Sequence, residues 1–284
     1  MNKSIKIILI TIAATLILLP ANLAASTPLT ITLSRSMPPL SFMNSAGEPD
    51  GLLIDFWREW ALQADRDIIF KMQTWRETIQ DTISGKADIH GGLFYSEKRA
   101  RNLLFADYIF PMETALFAPR KLIEANKINL QSTPCGLVKG GYGKEFMSRT
   151  YPYTQLAIFN SIADLFKAVK EERIALFLMD YPVAVWQLEH MGLTDSFYCF
   201  KKLYKMDLYP AVSKTNTDLV KIINLNMAAI PPKKKKAIIN KWLAMPGKGY
   251  NYRTIAAILT SLVLVVMGYV HRNELKAMLK IIKK

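Results

Sequence analysis

Apolar and polar positions along the chain switch repeatedly between a two-residue and a helical period, and the switches mark out the elements. Leu29 to Leu33 alternates and predicts a strand, Met37-Pro38-Pro39 breaks it, and Asn44 to Gly51, with Gly47 and Pro49, reads as a turn. A helix is expected from about Leu53 to Ala64, a strand over Asp67 to Met72, a helix from about Trp75 to Ser84, and a strand at Ala87 to His90. A second block repeats the alternation. Strands are expected at Thr114 to Ala118, Gly136 to Val138, Ala157 to Phe159 and Ile174 to Met179, with helices starting at Gly143, Ser161 and Pro182. Strands at Phe197 to Tyr204 and Leu208 to Ser213 then precede helices at Asp218 to Ala229 and Lys233 to Trp242. Alternating strands and helices predict an α/β fold with largely parallel pairing, in two lobes joined by more than one crossing strand. Ligands commonly bind in the cleft between such lobes.

The two ends follow other patterns. Residues 1–25 combine Lys3 and Lys6, an apolar run from Ile7 to Leu19, and small residues from Ala21, the three parts of a secretory signal peptide. Thr254 to Val270 is uncharged and long enough to span a bilayer as a transmembrane helix. Tyr250 and Tyr252 precede it, and Arg272, Lys276, Lys280, Lys283 and Lys284 follow. The positive-inside rule puts this tail, 271–284, in the cytoplasm and the α/β part outside. An anchor that leaves the α/β part on the outer face of the membrane is the expected location.

Charge changes the picture only modestly. Half of the formal net charge of +14 belongs to these two ends, leaving a moderately basic exported part. Without aromatic interleaving or a recognition motif, it does not indicate nucleic acid. The run Lys233 to Lys236 opens a helix and reads as its solvated face. Cys135 and Cys199 fall in the exported part, where an oxidising compartment permits a disulfide; their spacing matches no metal site and leaves pairing open. No metal or other cofactor is implied.

The segment 88–110, DIHGGLFYSEKRARNLLFADYIF, carries the candidate chemistry. Asp88 to His90 reads as a strand end, Gly91 and Gly92 as a turn, and Ser96 as the N-cap of a helix from Glu97 to Leu103. Arg99 would then sit in a first helical turn, where amide donors and a guanidinium suit a carboxylate. The same local pattern fits an exposed arginine on an amphipathic helix. His90 reads either as a cleft residue or as a satisfied structural histidine.

Taken in order, several segments resemble the family 3 extracellular solute-binding proteins, with their type II periplasmic binding protein (Venus-flytrap) fold. They are PPLSFMNSAGEPDGLLIDFW, ISGKADI, SEKR with FADYIF, GLVKGG, RIALFLMDYPVA, LYPAVSKTNTDLVKIINLNMAAIPP and AIINKWL, spanning nearly all of residues 28–245. The resemblance implies a discontinuous first lobe, 28–112 and 206–246, around a second lobe, 113–205. It implies that Arg99 holds a ligand carboxylate, that Asp180 holds an α-ammonium, and that Trp75 offers a stacking wall; a core tryptophan is the alternative for Trp75. It also places Met37 at the lid position, Gly91 and Gly92 beside the arginine, and Gly140 and Tyr142 on the second lobe. There the family's amino-acid binders use hydroxyls and aromatic lids that this chain lacks.

The expected function is a membrane-anchored solute-binding or sensory domain that closes on a small zwitterionic or carboxylate ligand such as an amino acid. The anchor resembles that of membrane receptors, and a signalling partner or a permease is implied. The alternative is the substrate-binding component of an ATP-driven amino-acid importer. A dehydratase-like enzyme is disfavoured, because no Ser/His/Asp or Cys/His motif and no paired acids accompany Arg99.

Overall fold

The computed structural model describes residues 27–243 and Thr260. The expected signal peptide at 1–25, the expected transmembrane segment Thr254 to Val270 (Thr260 apart) and the tail 271–284 lie outside the described residues. Among the described residues no helix is long and apolar enough to cross a membrane.

One mixed sheet organises both lobes, and its strands run in the order β10-β9-β11-β8-β12-β6-β1-β5, with β7 added on β12. The central pair, β8 (Phe110–Pro119) and β12 (Phe197–Ser213), is antiparallel and pairs from Phe197 opposite Pro119 to Leu208 opposite Phe110, with register shifts between Cys199 and Lys201 and between Lys202 and Tyr204. On one side lie β6 (Ile89–Phe94), β1 (Leu29–Ser34) and β5 (Ile68–Gln73), the last two parallel. On the other lie β11 (Leu176–Asp180), β9 (Cys135–Val138) and β10 (Leu156–Phe159). A small ribbon, β2 (Ser36–Met37), β3 (Ser41–Met43) and β4 (Pro49–Asp50), projects after β1.

Three sequence expectations are corrected. The strand read as ending at His90 continues to Phe94, and all six of its residues are buried. Gly91 and Gly92 therefore make no turn; they are strand interior. A Cβ at Gly91 would fall 2.5 Å from Leu33 Cδ2, and one at Gly92 would fall 3.0 Å from Leu208 Cδ2. The helix read to Leu103 stops after Glu97–Ala100, because Leu103–Phe105 leaves to pair with β12 as β7. The two strands read at Phe197 and Leu208 are one continuous strand of 17 residues, since Lys205, Met206 and Asp207 keep their pairing with β8.

Helices pack against the sheet, and β6 accordingly has no exposed residue. α1 (Leu52–Ala64) buries Leu53, Phe56, Trp57 and Trp60, and its two indoles are satisfied by backbone: Trp57 Nε1 donates to Gly91 O (2.8 Å) and Trp60 Nε1 to Ile223 O (3.1 Å). Gly51, at φ 123°, starts this helix where a Cβ would lie 2.6 Å from Leu40 O. α2 (Trp75–Ile83) follows Thr74, whose backbone N–H donates to Glu77 Oε2 at 3.0 Å. The α3 turn is Glu97–Ala100 and α4 is Arg120–Glu124; α5 (Tyr142–Thr150), α6 (Ile162–Lys170) and α7 (Tyr181–His190) belong to the second half.

The chain then returns to the first half with α8 (Thr217–Ala229) and α9 (Pro232–Leu243). α9 is tied to α1 by Trp242 Nε1 and Lys241 Nζ, which donate to Asp55 Oδ2 at 2.8 and 2.6 Å. Phe42 of the ribbon stands edge-on to Trp242 (5.9 Å between centroids) and also meets Trp186 of α7 (6.2 Å). Cys135 is buried, Cys199 is half-buried, and both are free thiols.

Candidate functional site

A cleft of about 200 Å³ opens between the two halves of the sheet. Of the residues singled out from sequence, Met37, Trp75, Arg99, Tyr142 and Asp180 line it; Gly91, Gly92 and Gly140 do not. The first two glycines are packed inside β6, as described above.

Arg99 enters from the first half. Ser96 Oγ accepts the backbone N–H of Arg99 (3.3 Å), so the capped turn directs the side chain without leaving that amide for a ligand. The guanidinium donates through Nη1 to Phe94 O (2.7 Å) and through Nη2 to Gly140 O (3.3 Å), the latter across the cleft. Burial lowers the Arg99 pKa, while the charges of Glu145 and Asp180 oppose that shift. An arginine starts from so high a value that it stays charged.

Gly140 serves through its backbone. It follows β9 in a turn closed by Gly141 N donating to Val138 O (3.3 Å), and its φ of 82° suits the third position of a type II turn. The carbonyl so presented accepts from Trp75 Nε1 (3.1 Å) as well as from Arg99. Trp75 also has the Arg99 guanidinium 5.8 Å from its ring centroid. It is therefore a half-buried cleft residue rather than a core tryptophan.

Asp180 enters from the second half, at the end of β11. Thr114 Oγ1 donates to its Oδ1 at 2.7 Å. Burial raises its pKa to about 6, against the opposing pull of the Thr114 bond and the Arg99 charge. Among the described residues, no ion pair joins Arg99 to Asp180. Each charge therefore faces the cleft separately.

Strand register supplies two residues that sequence reasoning missed. Thr114 of β8 pairs with Asp180 of β11 on one side and with Tyr204 of β12 on the other, which sets all three in one cross-strand row. Tyr204 packs against Tyr142 (5.5 Å), Phe146 (4.4 Å) and Phe94 (6.4 Å), building an aromatic wall, and its own burial pushes its phenol pKa up. Arg35, exposed at the mouth, was also missed. Position in a row across three strands leaves no local sequence signal.

His90 is structural. It is fully buried, accepts from Gly92 N at Nδ1 (3.2 Å), and meets Thr78 Oγ1 at Nε2 (3.0 Å). Thr78 Oγ1 itself donates to Trp75 O (2.7 Å), so the Nε2 proton points to the hydroxyl and the ring is neutral. Burial, with the Arg99 charge adding to it, lowers the His90 pKa to about 3. Its ring stands edge-on to Trp75 (5.4 Å) and thereby steadies the cleft wall from behind.

Two α/β lobes sharing a sheet, with opposed charges on the walls of the cleft between them, define a solute-binding architecture. The chain belongs to the bacterial extracellular solute-binding proteins, family 3, whose family model matches residues 29–245. Solved structures share the two-lobed fold. A histidine kinase sensor domain with similarity to periplasmic binding proteins superposes with a TM-score of 0.70 at 21% identity, covering 78% of this chain and 97% of its own. An ancestral arginine-binding protein bound to arginine gives 0.69 at 19% identity, covering 77% and 99%. The solute receptor for L-cysteine of Neisseria gonorrhoeae gives 0.69 at 20% identity, covering 79% and 93%. No curated protein sequence matches the chain.

Proposed function

We propose that this protein is a membrane-anchored binding or sensory domain at the periplasmic face of a bacterial inner membrane, and that its lobes close on a small zwitterion such as an amino acid. The observation that carries this reading is the placement of Arg99 and Asp180 on opposite walls of one cleft, unpaired with each other. A zwitterion satisfies both charges at once, and only when the walls approach, so that binding shifts the lobes toward the closed arrangement. In this reading Trp75, Tyr142 and Met37 border the ligand, and the Gly140 carbonyl sets where Arg99 lies. The first lobe takes residues 28–112 and 206–246 and the second 113–205. The leader at 1–25 and the apolar segment 254–270, both read from sequence, supply export and anchoring.

The fold shared with a kinase sensor domain supports sensing. The arginine-binding protein and the L-cysteine receptor support capture for an importer as the second reading. Co-purification from membranes separates the two: a permease partner indicates import, and a signalling partner indicates sensing. The site itself is tested by thermal shift of the purified protein with the common amino acids, since a ligand that binds only the folded state raises its melting temperature. Binding that persists in Arg99→Ala sinks the assignment.

A further inference from the structure

We infer that the cleft selects amino acids with an uncharged, apolar side chain, aromatic or large aliphatic. This rests on the amino-acid reading above and adds to it the class of side chain. Once Arg99 and Asp180 take the two charges of the ligand backbone, no other carboxylate lines the cleft to meet a cationic side chain. The remaining cation, Arg35, is exposed at the mouth, where solvent screens it.

Five of the lining hydroxyls already make hydrogen bonds. Thr74 Oγ1 donates to Glu77 Oε2 (2.7 Å), Thr114 Oγ1 to Asp180 (2.7 Å) and Ser161 Oγ to Asp164 Oδ2 (2.8 Å). Ser34 Oγ accepts from Ser36 N (3.4 Å), and the Tyr142 hydroxyl from Arg149 Nη2 (3.4 Å). A polar side chain entering here exchanges its water for few partners, because Ser36 and Asn160 are the only other polar side chains of the lining besides Arg35, Tyr204 and the already bonded Trp75. An apolar one instead meets Phe94, Leu137, Leu178 and Leu208 beside the Tyr204 ring, and its burial is favourable.

Near-isosteric pairs test this without changing the protein. Calorimetry on the full purified chain compares leucine with asparagine and norleucine with lysine, and phenylalanine is run alongside. The expected result is that the apolar member of each pair binds at least about tenfold more tightly, the ratio expected when one polar group is buried without a partner. Equal or tighter binding of asparagine or lysine overturns the selectivity while leaving the amino-acid reading standing. Failure of all five to bind, while another common amino acid raises the melting temperature, overturns the selectivity; failure of every common amino acid overturns that reading itself. Leucine or phenylalanine binding that survives in Arg99→Ala lies outside this cleft and also overturns the inference.

Discussion

Arg99 of the first lobe and Gly140 of the second share a hydrogen bond across the cleft, 3.3 Å from Nη2 to the carbonyl oxygen, while Nη1 holds Phe94 O. A guanidinium can keep both carbonyls and still present N–H groups to a carboxylate, because it has five donors in a fixed plane. Lysine has the charge without the fork. Arg99→Lys is therefore expected to retain the fold by circular dichroism and to weaken carboxylate ligands by roughly ten- to a hundredfold in calorimetry. Unchanged affinity would show that charge alone suffices.

Asp180 is costly to hold ionised. Its folded pKa, about 6, lies above the unfolded value of 3.8, so the native state binds the proton more strongly. The associated stability is present below pH 3.8 and is lost as the pH rises through about 6. Asp180→Asn keeps an acceptor for Thr114 and removes that loss. Unliganded Asp180→Asn should thus be more stable than the parent at pH 7, by on the order of 2–3 kcal/mol, and the gain should vanish near pH 3.8. Urea unfolding at the two pH values measures it; a loss at pH 7 contradicts the assignment.

The same acid makes ligand binding proton-linked. An ammonium placed beside Asp180 favours the carboxylate, so binding at pH 5 should release a proton and binding at pH 8 should not. Calorimetry in buffers of different ionisation enthalpy reads this directly. Affinity for an amine-bearing ligand should rise with pH up to about 6 and level off beyond it.

Gly91 is a packing position. Its absent Cβ is the space filled by the Leu33 side chain, itself 1% exposed, so neither residue has room to move. Gly91→Ala should cost about 1–3 kcal/mol in denaturant unfolding, as overpacked cores do. A neutral substitution would mean that β6 and β1 can separate freely.

The two thiols should differ in reactivity. Burial pushes the Cys135 pKa up to about 12 and gives the residue no accessible surface, whereas Cys199 is half-buried on β12. A thiol reagent should modify Cys199 in the native protein and reach Cys135 only after unfolding. Equal native labelling would refute the burial of β9.

The α/β alternation was legible because each element has its own hydrophobic period, and the positions of α1, α2, α6 and α9 follow it closely. That Arg99 and Asp180 line the cleft was legible through motif resemblance. What sequence could not show was register: Tyr204 ends the strand read at Phe197, but it is its pairing opposite Thr114 that sets it at the cleft, and nothing local marks that pairing. Gly91 and Gly92 misled for the opposite reason. A glycine pair suggests a turn, yet here it answers to the size of Leu33 and Leu208.

Phe42 packs against two tryptophans that belong to different parts of the molecule. Trp186 rides on α7, the helix that begins immediately after Asp180, and Trp242 lies near the end of α9, fastened to α1 through Asp55. Rings packed in series transmit displacement, because none can yield without opening a void. Any movement of α7 relative to α9 must therefore repack Phe42 against one tryptophan or the other.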